Sequence, residues 1–270
     1  MQSVVVSIIT INKDNKAGLE KTMRSVLSQS FLDFEYIIID GASSDGSVDV
    51  IRHYSESSNV PIKWFSEPDT GIYNAMNKGI ACAAGDYLLF LNSGDFLVDG
   101  DVLKNVFSSV HSADLLLARC RVSRDGNVVW ISPLLPDTIT LGTLYWNGIM
   151  HQSTFIKRSL FYNIGMYDES FRWLADIQFW YKSLIINDAT TESIDLVTSD
   201  YNTDGTSSSS QKNQQFIYER EWPSRQPVLK HVLPDYVRWK SDKAIVAKYG
   251  WIDNHKVLQR LLKGFRKIIE

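Results

Sequence analysis

The chain has 270 residues, 44% of them hydrophobic, and a formal net charge of −3 at pH 7. A chain of this size and apolar content can bury a sizeable core, as one large domain or as a domain with an appendage. The small negative charge argues against bulk binding to nucleic acid, and no apolar stretch of the sequence approaches the roughly 18 residues of a membrane span.

The start of the chain and its cysteines bear on the compartment. The apolar run 4–11 has no positive charge before it and no small-residue cleavage site, so we expect no signal peptide. Cys82 and Cys120 lie in apolar stretches without metal-ligand spacing, and we expect buried free thiols in a reducing compartment. Both observations predict a cytoplasmic protein.

Strand and helix signals alternate along the first 130 residues. Apolar runs predict strands at 4–11, 36–39, 62–65, 86–91, 115–121 and 128–131. Apolar residues at helical spacing predict helices at 19–27, 46–57, 72–83 and 101–110. The alternation predicts an α/β fold in which helices cover both faces of a mostly parallel sheet.

Polar side chains lie at the carboxyl ends of four of these strands. They are Thr10, Asn12, Asp40, Glu67, Asp69, Asn92 and Asp95. Parallel strands present their carboxyl ends at one edge of the sheet, and open α/β sheets bind ligands there. We therefore expect a binding crevice along that edge.

The segment 86–95, with the sequence DYLLFLNSGD, carries the strongest chemical signal. A carboxylate at the end of a buried strand can hold a hard divalent cation, which in turn can bind a diphosphate. Taken alone, the segment also suits a strand followed by an ordinary turn. The sequence has no Gly-x-Gly-x-x-Gly after the first strand and no Gly-rich loop ending in Gly-Lys-Ser/Thr, which argues against a dinucleotide oxidoreductase and a P-loop enzyme.

Five segments resemble, in order and in spacing, the successive blocks of family 2 glycosyltransferases. They are VSIITIN at 6–12, SVLSQS at 25–30, IIDGASSDG at 38–46, EPDTGIYNAMNKG at 67–79 and GDYLLFLNSGD at 85–95. The resemblance extends over residues 4–205. It implies the Rossmann-like GT-A fold, a nucleotide-sugar donor, a divalent cation (Mn²⁺ or Mg²⁺) and inversion at the anomeric carbon.

The resemblance also assigns residues to the donor. Thr10 and Asn12 are expected to line the nucleoside pocket, and Asp40 to accept a hydrogen bond from a uracil N–H or a ribose hydroxyl. Asp40 could instead cap the following helix. Asp69 and Lys78 would add contacts to the base or the diphosphate, although Lys78 could equally be a solvated helix lysine.

The metal motif of the family has an unusual form in this chain. Relatives carry Asp-x-Asp, whereas this chain has Ser93-Gly94-Asp95. Asp95 keeps the carboxylate that the resemblance assigns to the metal, and Asn92 and Ser93 are expected beside the donor. The neutral Ser93 leaves two alternatives. One is a working, donor-dependent metal site, because diphosphate oxygens and waters complete the shell of Mg²⁺; the other is a nucleotide-sugar-binding relative that has lost activity.

The acceptor side must supply a base, because a sugar hydroxyl is a poor nucleophile until its proton is removed. Asp176 precedes a predicted helix at 177–184 and resembles the family's catalytic carboxylate in its placement, and it could also cap that helix. His151 is expected to orient the acceptor or to touch the metal, unless its role is structural. Trp173 is expected to stack on the acceptor sugar, with a place in the core as the alternative.

The C-terminal part differs in charge from the rest. Residues 212–270 carry 13 Lys and Arg against 6 Asp and Glu, and residues 1–211 carry 15 against 25. We predict a glycosyltransferase domain at 1–211 and a basic, helical extension at 212–270. Apolar residues at helical spacing between 256 and 269 suit an anionic membrane surface, or equally a helix packed on its own domain or on a second subunit. The polar segment 201–215 is either a loop that closes over the donor or a linker.

These assignments predict an inverting, metal-dependent transferase that moves a hexose from a nucleotide sugar, in the first place a UDP-sugar. Its acceptor would be a saccharide or a lipid-linked saccharide in the assembly of a surface polysaccharide such as lipopolysaccharide. It would work in the cytoplasm or peripherally on the cytoplasmic face of the inner membrane. The sequence is compatible with a monomer and with a homo-oligomer. A sugar nucleotidyltransferase is the alternative enzyme, although the sequence has no basic Gly-rich phosphate loop.

Overall fold

The computed structural model of the chain describes residues 4–203, 214–227 and 229–230. The chain forms two compact units, Met1–Arg220 and Glu221–Glu270, and each is described by itself. The predicted loop at 201–215 lies largely outside the described residues, and the predicted helix at 256–269 lies wholly outside them. The predicted domains, 1–211 and 212–270, stay a prediction.

Strands of the first unit form one mixed sheet. Within the described residues they are β1 (Val6–Asn12), β2 (Phe34–Asp40), β3 (Ile62–Ser66), β4 (Tyr87–Phe90), β5 (Phe96–Leu97), β6 (Leu115–Arg124), β7 (Asn127–Ile131), β8 (Thr154–Lys157) and β9 (Thr191–Asn202). Their order is β3-β2-β1-β4-β8-β6-β9-β5, and β7 pairs with β6. The neighbours β3, β2, β1 and β4 run parallel, whereas β8 is antiparallel to both β4 and β6.

Helices connect these strands. In the first unit they are α1 (Lys16–Leu27), α2 (Ser47–Ser57), α3 (Ile72–Cys82), α4 (Val102–Val106), α5 (Leu141–Asn147), α6 (Arg158–Ile164), α7 (Ala175–Trp180) and α8 (Gln214–Arg220), and the second unit contains α9 (Trp222–Arg225). A 3₁₀ turn spans His151–Ser153, and α7 continues as a π-helix over Tyr181–Ile186. None of the helices that the structure describes is long and apolar enough to cross a membrane.

Three helices differ from the predictions in their bounds. The helix predicted at 19–27 begins earlier, at Lys16. The helix predicted at 101–110 ends at Val106, and Val110 is fully exposed, so the apolar pattern overstated its length. The helix predicted at 177–184 starts earlier, at Ala175, and changes to π-helical geometry at Tyr181. Apolar spacing alone does not distinguish these two geometries.

The central strand β1 is buried along its whole length, including its polar residues Ser7, Thr10 and Asn12, as is typical of a strand covered on both faces. On one face, Ile8 belongs to the core that Leu19 and Met23 of α1 complete. On the other face, α3 approaches so closely that a Cβ on Gly79 would lie 2.5 Å from Cγ2 of Ile9. Helices therefore cover both faces of the sheet, and the predicted α/β fold is confirmed.

The strand register brings the carboxyl ends of the parallel strands to one edge of the sheet. Asn12 of β1 is opposite Asp40 of β2, which is opposite Ser66 of β3. Because β8 runs against both β4 and β6, β6 points in the direction of β4, and β9 is parallel to β6. The end of β9 and the turn His151–Ser153 before β8 therefore reach the same edge. Both halves of the sheet contribute to the crevice that the sequence predicts there.

Glu35 ties several segments of the parallel half together. This residue of β2 is 7% exposed. Its Oε1 accepts hydrogen bonds from Ser7 Oγ at 2.6 Å and Ala84 N at 2.5 Å, and its Oε2 pairs with Lys63 Nζ at 2.6 Å. Burial raises the pKa of Glu35, but the bonds from Lys63, Ser7 and Ala84 outweigh it, so the pKa is lowered from 4.5.

Glu35→Gln is expected to lower the free energy of unfolding by about 1–3 kcal/mol at neutral pH, because buried donors lose an ionised acceptor. Since the folded pKa is depressed, this stabilisation is fully present above pH 4.5 and is lost as the pH falls through the folded pKa. Urea unfolding of parent and variant at neutral pH and in steps below pH 4.5 measures it.

Glu20→Gln is the matched control. Glu20 pairs with Arg24 on an exposed face of α1, with 2.6 Å between Oε1 and Nη2. Loss of such a pair should change the unfolding free energy little. Equal losses in the two variants, or a loss in Glu35→Gln that does not shrink in acid, would contradict the role given to Glu35.

Candidate active site

Asp40 organises the loop that follows β2. Its side chain is fully buried. Oδ1 accepts from Asn12 Nδ2 at 2.8 Å and Ser43 Oγ at 2.6 Å, and Oδ2 accepts from Ser43 N at 2.9 Å and Ser66 Oγ at 2.7 Å. Burial raises the pKa of Asp40, but the bonds from Ser43, Asn12 and Ser66 outweigh it and the pKa is lowered. Asp40 is therefore an ionised anchor of this loop, and contact with a nucleoside, which stays a prediction, requires exchange of one of these bonds.

Asn12 and Thr10 differ in what they can offer a ligand. Asn12 is 4% exposed, and its Oδ1 is buried without a hydrogen-bond partner. Thr10 is fully buried, and its Oγ1 shares a hydrogen bond with Tyr36 OH at 3.0 Å. Asn12 thus has an unused acceptor at the edge of the sheet, whereas Thr10 lies within the sheet. The nucleoside contacts predicted for both residues stay predictions.

The side chains of Asp69 and Lys78 both contact other residues of the protein. Lys78 Nζ pairs with Glu67 Oε1 at 2.7 Å and donates to the carbonyl of Pro68 at 3.1 Å. Asp69 Oδ2 lies over Gly41 and would clash with a Cβ at that position. A larger residue at position 41 would therefore displace the Asp69 side chain. The predicted contacts to base or diphosphate stay predictions, and for Lys78 such a contact would compete with Glu67.

Asp95 is buried close to Gln152, Asp200 and Asn202. It is 4% exposed, and its Oδ1 accepts from Asn202 N at 3.2 Å. Burial raises its pKa to about 7, although His151, Asn202 and Gln152 act in the opposite direction. Loss of solvation therefore disfavours the charged carboxylate, and a bound cation would stabilise it.

Oxygen atoms around Asp95 suit a hard cation. Asn92 Oδ1, Gln152 Oε1 and Asp200 Oδ1 are buried without hydrogen-bond partners. Within the described residues, no group of three His, Cys, Asp or Glu side chains could hold a metal ion. Mg²⁺ accepts one or two carboxylates when phosphate oxygens and waters complete its shell. The carboxylate of Asp95 thus fits a cation that arrives with a diphosphate. Ser93 contacts Asn15, whose Nδ2 lies 2.9 Å from the Ser93 carbonyl and 3.3 Å from its Oγ.

His151 connects the predicted base with the loop of Asp95. Its Nδ1 lies 3.1 Å from Asp176 Oδ2, and its Nε2 lies 3.5 Å from Asn92 Nδ2. The side chains of His151 and Asp176 are 16% and 15% exposed, so both reach solvent. A carboxylate only accepts hydrogen bonds, so Nδ1 of His151 carries the hydrogen. The structure therefore brings Asp176, His151 and Asn92 together in one hydrogen-bonded chain.

Helix α3 brings the two halves of the site into contact. Asn74 Nδ2 donates to Glu169 Oε2 at 2.9 Å, and Asn77 Nδ2 donates to Glu169 Oε1 and to the Tyr167 carbonyl, each at 2.9 Å. Tyr73 OH contacts Asp176 Oδ1 at 3.0 Å. The 67–79 block therefore fixes the segment that leads to the predicted base.

Trp173 is largely packed inside the protein. It is 9% exposed, with the Arg172 guanidinium 4.8 Å above its ring and the Phe216 ring centroid at 6.2 Å. Most of the Trp173 surface is therefore buried, as expected if it is a core residue. Its predicted stacking on an acceptor sugar stays a prediction that would need one of these neighbours to move.

Several residues of the site were absent from the sequence predictions. They are Ser66, Tyr73, Gln152, Asp200, Asn202 and Glu219, whose carboxylate accepts hydrogen bonds from the backbone N–H groups of residues 172–174. Tyr73 and Gln152 stand beside residues that were singled out, so their positions in the motifs were a usable signal. The others come from the end of β3, from β9 and from α8, and no local pattern connects them with the site.

A comparison with protein families matches the model of Glycosyl transferase family 2 to residues 6–175. This is more than half of the chain, and it contains all five blocks. The matched range ends one residue before Asp176.

Two mycobacterial relatives resemble most of the chain. A PGL/p-HBAD biosynthesis glycosyltransferase of Mycobacterium bovis is 29% identical over 219 residues, which cover 80% of this chain and 84% of the relative. An uncharacterized glycosyltransferase of Mycobacterium tuberculosis is 32% identical over 207 residues, which cover 75% of this chain and 77% of the relative.

Solved structures share the fold. TarS of S. aureus in complex with UDP-GlcNAc matches with a TM-score of 0.64 at 19% identity, over 81% of this chain and 65% of that chain. The present chain thus spans slightly less than two thirds of the TarS chain. The mannosyltransferase PcManGT from Pyrobaculum calidifontis, in complex with GDP-Man and Mn²⁺, matches with a TM-score of 0.57 at 11% identity, over 95% of this chain and 82% of that chain. These likenesses confirm the predicted GT-A fold.

Proposed function

The chain belongs to glycosyl transferase family 2, and from this premise we propose that it transfers a hexose from a UDP-sugar with inversion at the anomeric carbon. One observation carries the proposal. His151 links Asp176, the proposed base, with Asn92 in the loop of Asp95, so that the acceptor and donor sides form one hydrogen-bonded site. A transferase needs both sides within reach of one reacting carbon.

The donor would lie along the carboxyl edge of β1, β2 and β4. The structure of TarS with UDP-GlcNAc supports a UDP-sugar, since the same fold holds that donor. Asn12, with its unpaired Oδ1, would contact the nucleoside, and Asp40 and Asp69 would contribute through the loops that they hold. Lys78 would face the diphosphate only after release from Glu67.

Asp95 would hold a divalent cation together with the donor diphosphate, beside Asn92 and Ser93. The buried, unpaired side-chain oxygens of Asn92, Gln152 and Asp200 support the assignment, and the PcManGT structure contains Mn²⁺ with its nucleotide sugar. Mn²⁺ or Mg²⁺ would neutralise charge on the departing diphosphate. A second candidate function is a nucleotide-sugar-binding relative with impaired catalysis. The observation in its favour is the neutral Ser93, which stands where relatives carry a carboxylate.

Asp176 would take the proton of the acceptor hydroxyl as that oxygen attacks the anomeric carbon. Its two oxygens are held by Tyr73 and His151, and its side chain is 15% exposed, so it can meet an acceptor in a fixed orientation. Attack from the side opposite the diphosphate would invert the configuration. His151 would orient Asp176 and, with Trp173, border the acceptor.

The acceptor class is proposed from the name of one relative and from the charge of the C-terminal residues. The name of the M. bovis relative assigns it to PGL/p-HBAD biosynthesis. We propose a saccharide or lipid-linked saccharide acceptor in surface polysaccharide assembly, and the basic composition of residues 212–270 suits an acceptor at an anionic membrane. We place the activity in the cytoplasm, at the inner face of an anionic membrane.

Asp95→Ala is expected to weaken cation-dependent binding of UDP roughly tenfold or more, because the carboxylate that would hold the cation is lost. Isothermal titration calorimetry with UDP, with and without Mn²⁺, measures the effect, and circular dichroism checks the fold. Ser93→Asp is the companion variant and should raise Mn²⁺ affinity. Equal UDP binding by Asp95→Ala and the parent in Mn²⁺ would refute the assignment.

Asp176→Asn keeps the size and the capping ability of the side chain but removes its basicity. Sugar transfer should therefore fall by roughly 10²–10⁴-fold, while donor affinity should hardly change. Transfer is measured with the UDP-sugar that raises the melting temperature of the parent most. Asp195→Asn, at an exposed carboxylate paired with Arg119, is the control and should keep parental activity. Near-parental transfer by Asp176→Asn would exclude the role and direct attention to Asp168 or Glu169.

A further inference from the structure

Glu219 binds the backbone beside the proposed base, although the reaction scheme above does not use it. It lies on α8 and is 2% exposed. Its carboxylate accepts hydrogen bonds from three successive backbone N–H groups, those of Arg172, Trp173 and Leu174, at 2.7, 2.9 and 3.0 Å. Gln215, one turn earlier on α8, donates a further bond at 3.0 Å. Successive N–H groups that point at one anion hold the backbone in one conformation.

The bound segment leads directly into α7, which carries Asp176. Leu174 is the N-cap residue of α7, and its side chain makes no capping hydrogen bond. A helix start leaves backbone N–H groups without partners and favours a nearby negative charge. Glu219, from a distant part of the sequence, accepts from the N–H of this N-cap residue and from those of the two residues before it. The backbone conformation at the start of α7 therefore depends on α8.

Tyr73 contacts the same segment from α3. Its hydroxyl oxygen lies 2.7 Å from the Trp173 carbonyl oxygen and 3.0 Å from Asp176 Oδ1. A tyrosine hydroxyl has a single hydrogen, so these two acceptors compete for it. Burial, and then the charge of Asp176, raise the pKa of Tyr73 well above its usual value, so the hydroxyl keeps that hydrogen. The position of the Trp173 carbonyl thus determines how strongly Tyr73 holds Asp176.

We propose that Glu219 is a positioning residue for the acceptor base, acting through the backbone of Trp173 and the hydroxyl of Tyr73. The inference rests on the proposed function, in which Asp176 takes the acceptor proton. Glu219 fixes the N–H of Trp173 while Tyr73 contacts the carbonyl of the same residue, so the two contacts act on one stretch of backbone. Helix α8 then belongs to the active site, although it lies beyond the range that the family model matches.

The test compares Glu219→Gln, Tyr73→Phe and the double variant in the full chain. Steady-state sugar transfer is measured with Mn²⁺ and the UDP-sugar that raises the melting temperature of the parent most. In Glu219→Gln the kcat should fall roughly 10- to 100-fold, because a small misplacement of a reacting group has a large effect on rate. The donor KM should stay within about twofold, because the interaction acts on the chemical step. Glu221→Gln, the same change at an exposed carboxylate nearby, should leave both values unchanged.

The double variant separates positioning from general destabilisation. If Glu219 acts through Tyr73, the double variant is no more than about twofold slower than Tyr73→Phe alone, since coupled residues are not additive. Losses that multiply, a raised donor KM with parental kcat, or parental transfer by Glu219→Gln overturn the inference. If circular dichroism shows that Glu219→Gln does not fold, Glu219→Asp, which keeps the charge, replaces it in the cycle.

Asp176→Asn, assayed alongside, distinguishes two kinds of failure. Near-parental transfer by Asp176→Asn would show that Asp176 is not the base, and it would overturn the proposed function together with this inference. A slow Asp176→Asn combined with multiplying losses in the Glu219 and Tyr73 cycle overturns the inference alone. A slow Asp176→Asn combined with a non-additive cycle supports both.

Discussion

The common direction of β1, β2, β3, β4, β6 and β9 is the constraint on which the rest of the first unit depends. Because the carboxyl ends of these strands meet at one edge, residues distant in the chain become neighbours, as the bond between Asn202 N and Asp95 Oδ1 illustrates. β8 runs against β4 and β6 and enters the sheet from that edge. His151, just before β8, therefore lies between Asn92 and Asp176. The sheet thus determines which side chains can share the site.

Much of the polar chemistry at this edge is paired within the protein. Asp40 accepts four hydrogen bonds and Lys78 is paired with Glu67, so a ligand must exchange bonds with these residues. An exchange of this kind yields a small net free energy. Buried oxygens without partners, such as Asn12 Oδ1 and Asn92 Oδ1, can gain more from a new partner. Donor affinity should therefore depend on these atoms and on the pocket of Asp95.

The sequence predicts the parallel half of the sheet well, because each strand and helix there has its own apolar pattern and β1 is buried on both faces. It also identifies the sheet edge at which Asp40, Asp95 and their neighbours lie. It does not predict the partners that come from elsewhere. Ser66, Asp200 and Glu219 join the site through strand register or through the docking of α8, and neither has a local signature in the sequence. The lengths of α4 and α7 were missed because apolar spacing does not report where a helix ends or changes its pitch.

The central claim is that Asp176 serves an acceptor hydroxyl on the side of the sugar opposite the diphosphate, in a single displacement. The anomeric configuration of the product tests it most directly. Proton NMR of the reaction, followed from the first turnovers, reports the anomeric coupling constant of the transferred sugar before any equilibration. A single displacement yields a product of β configuration from an α-linked UDP-sugar. An α-configured product, that is retention, would contradict it, because a single attack assisted by one base cannot preserve the configuration.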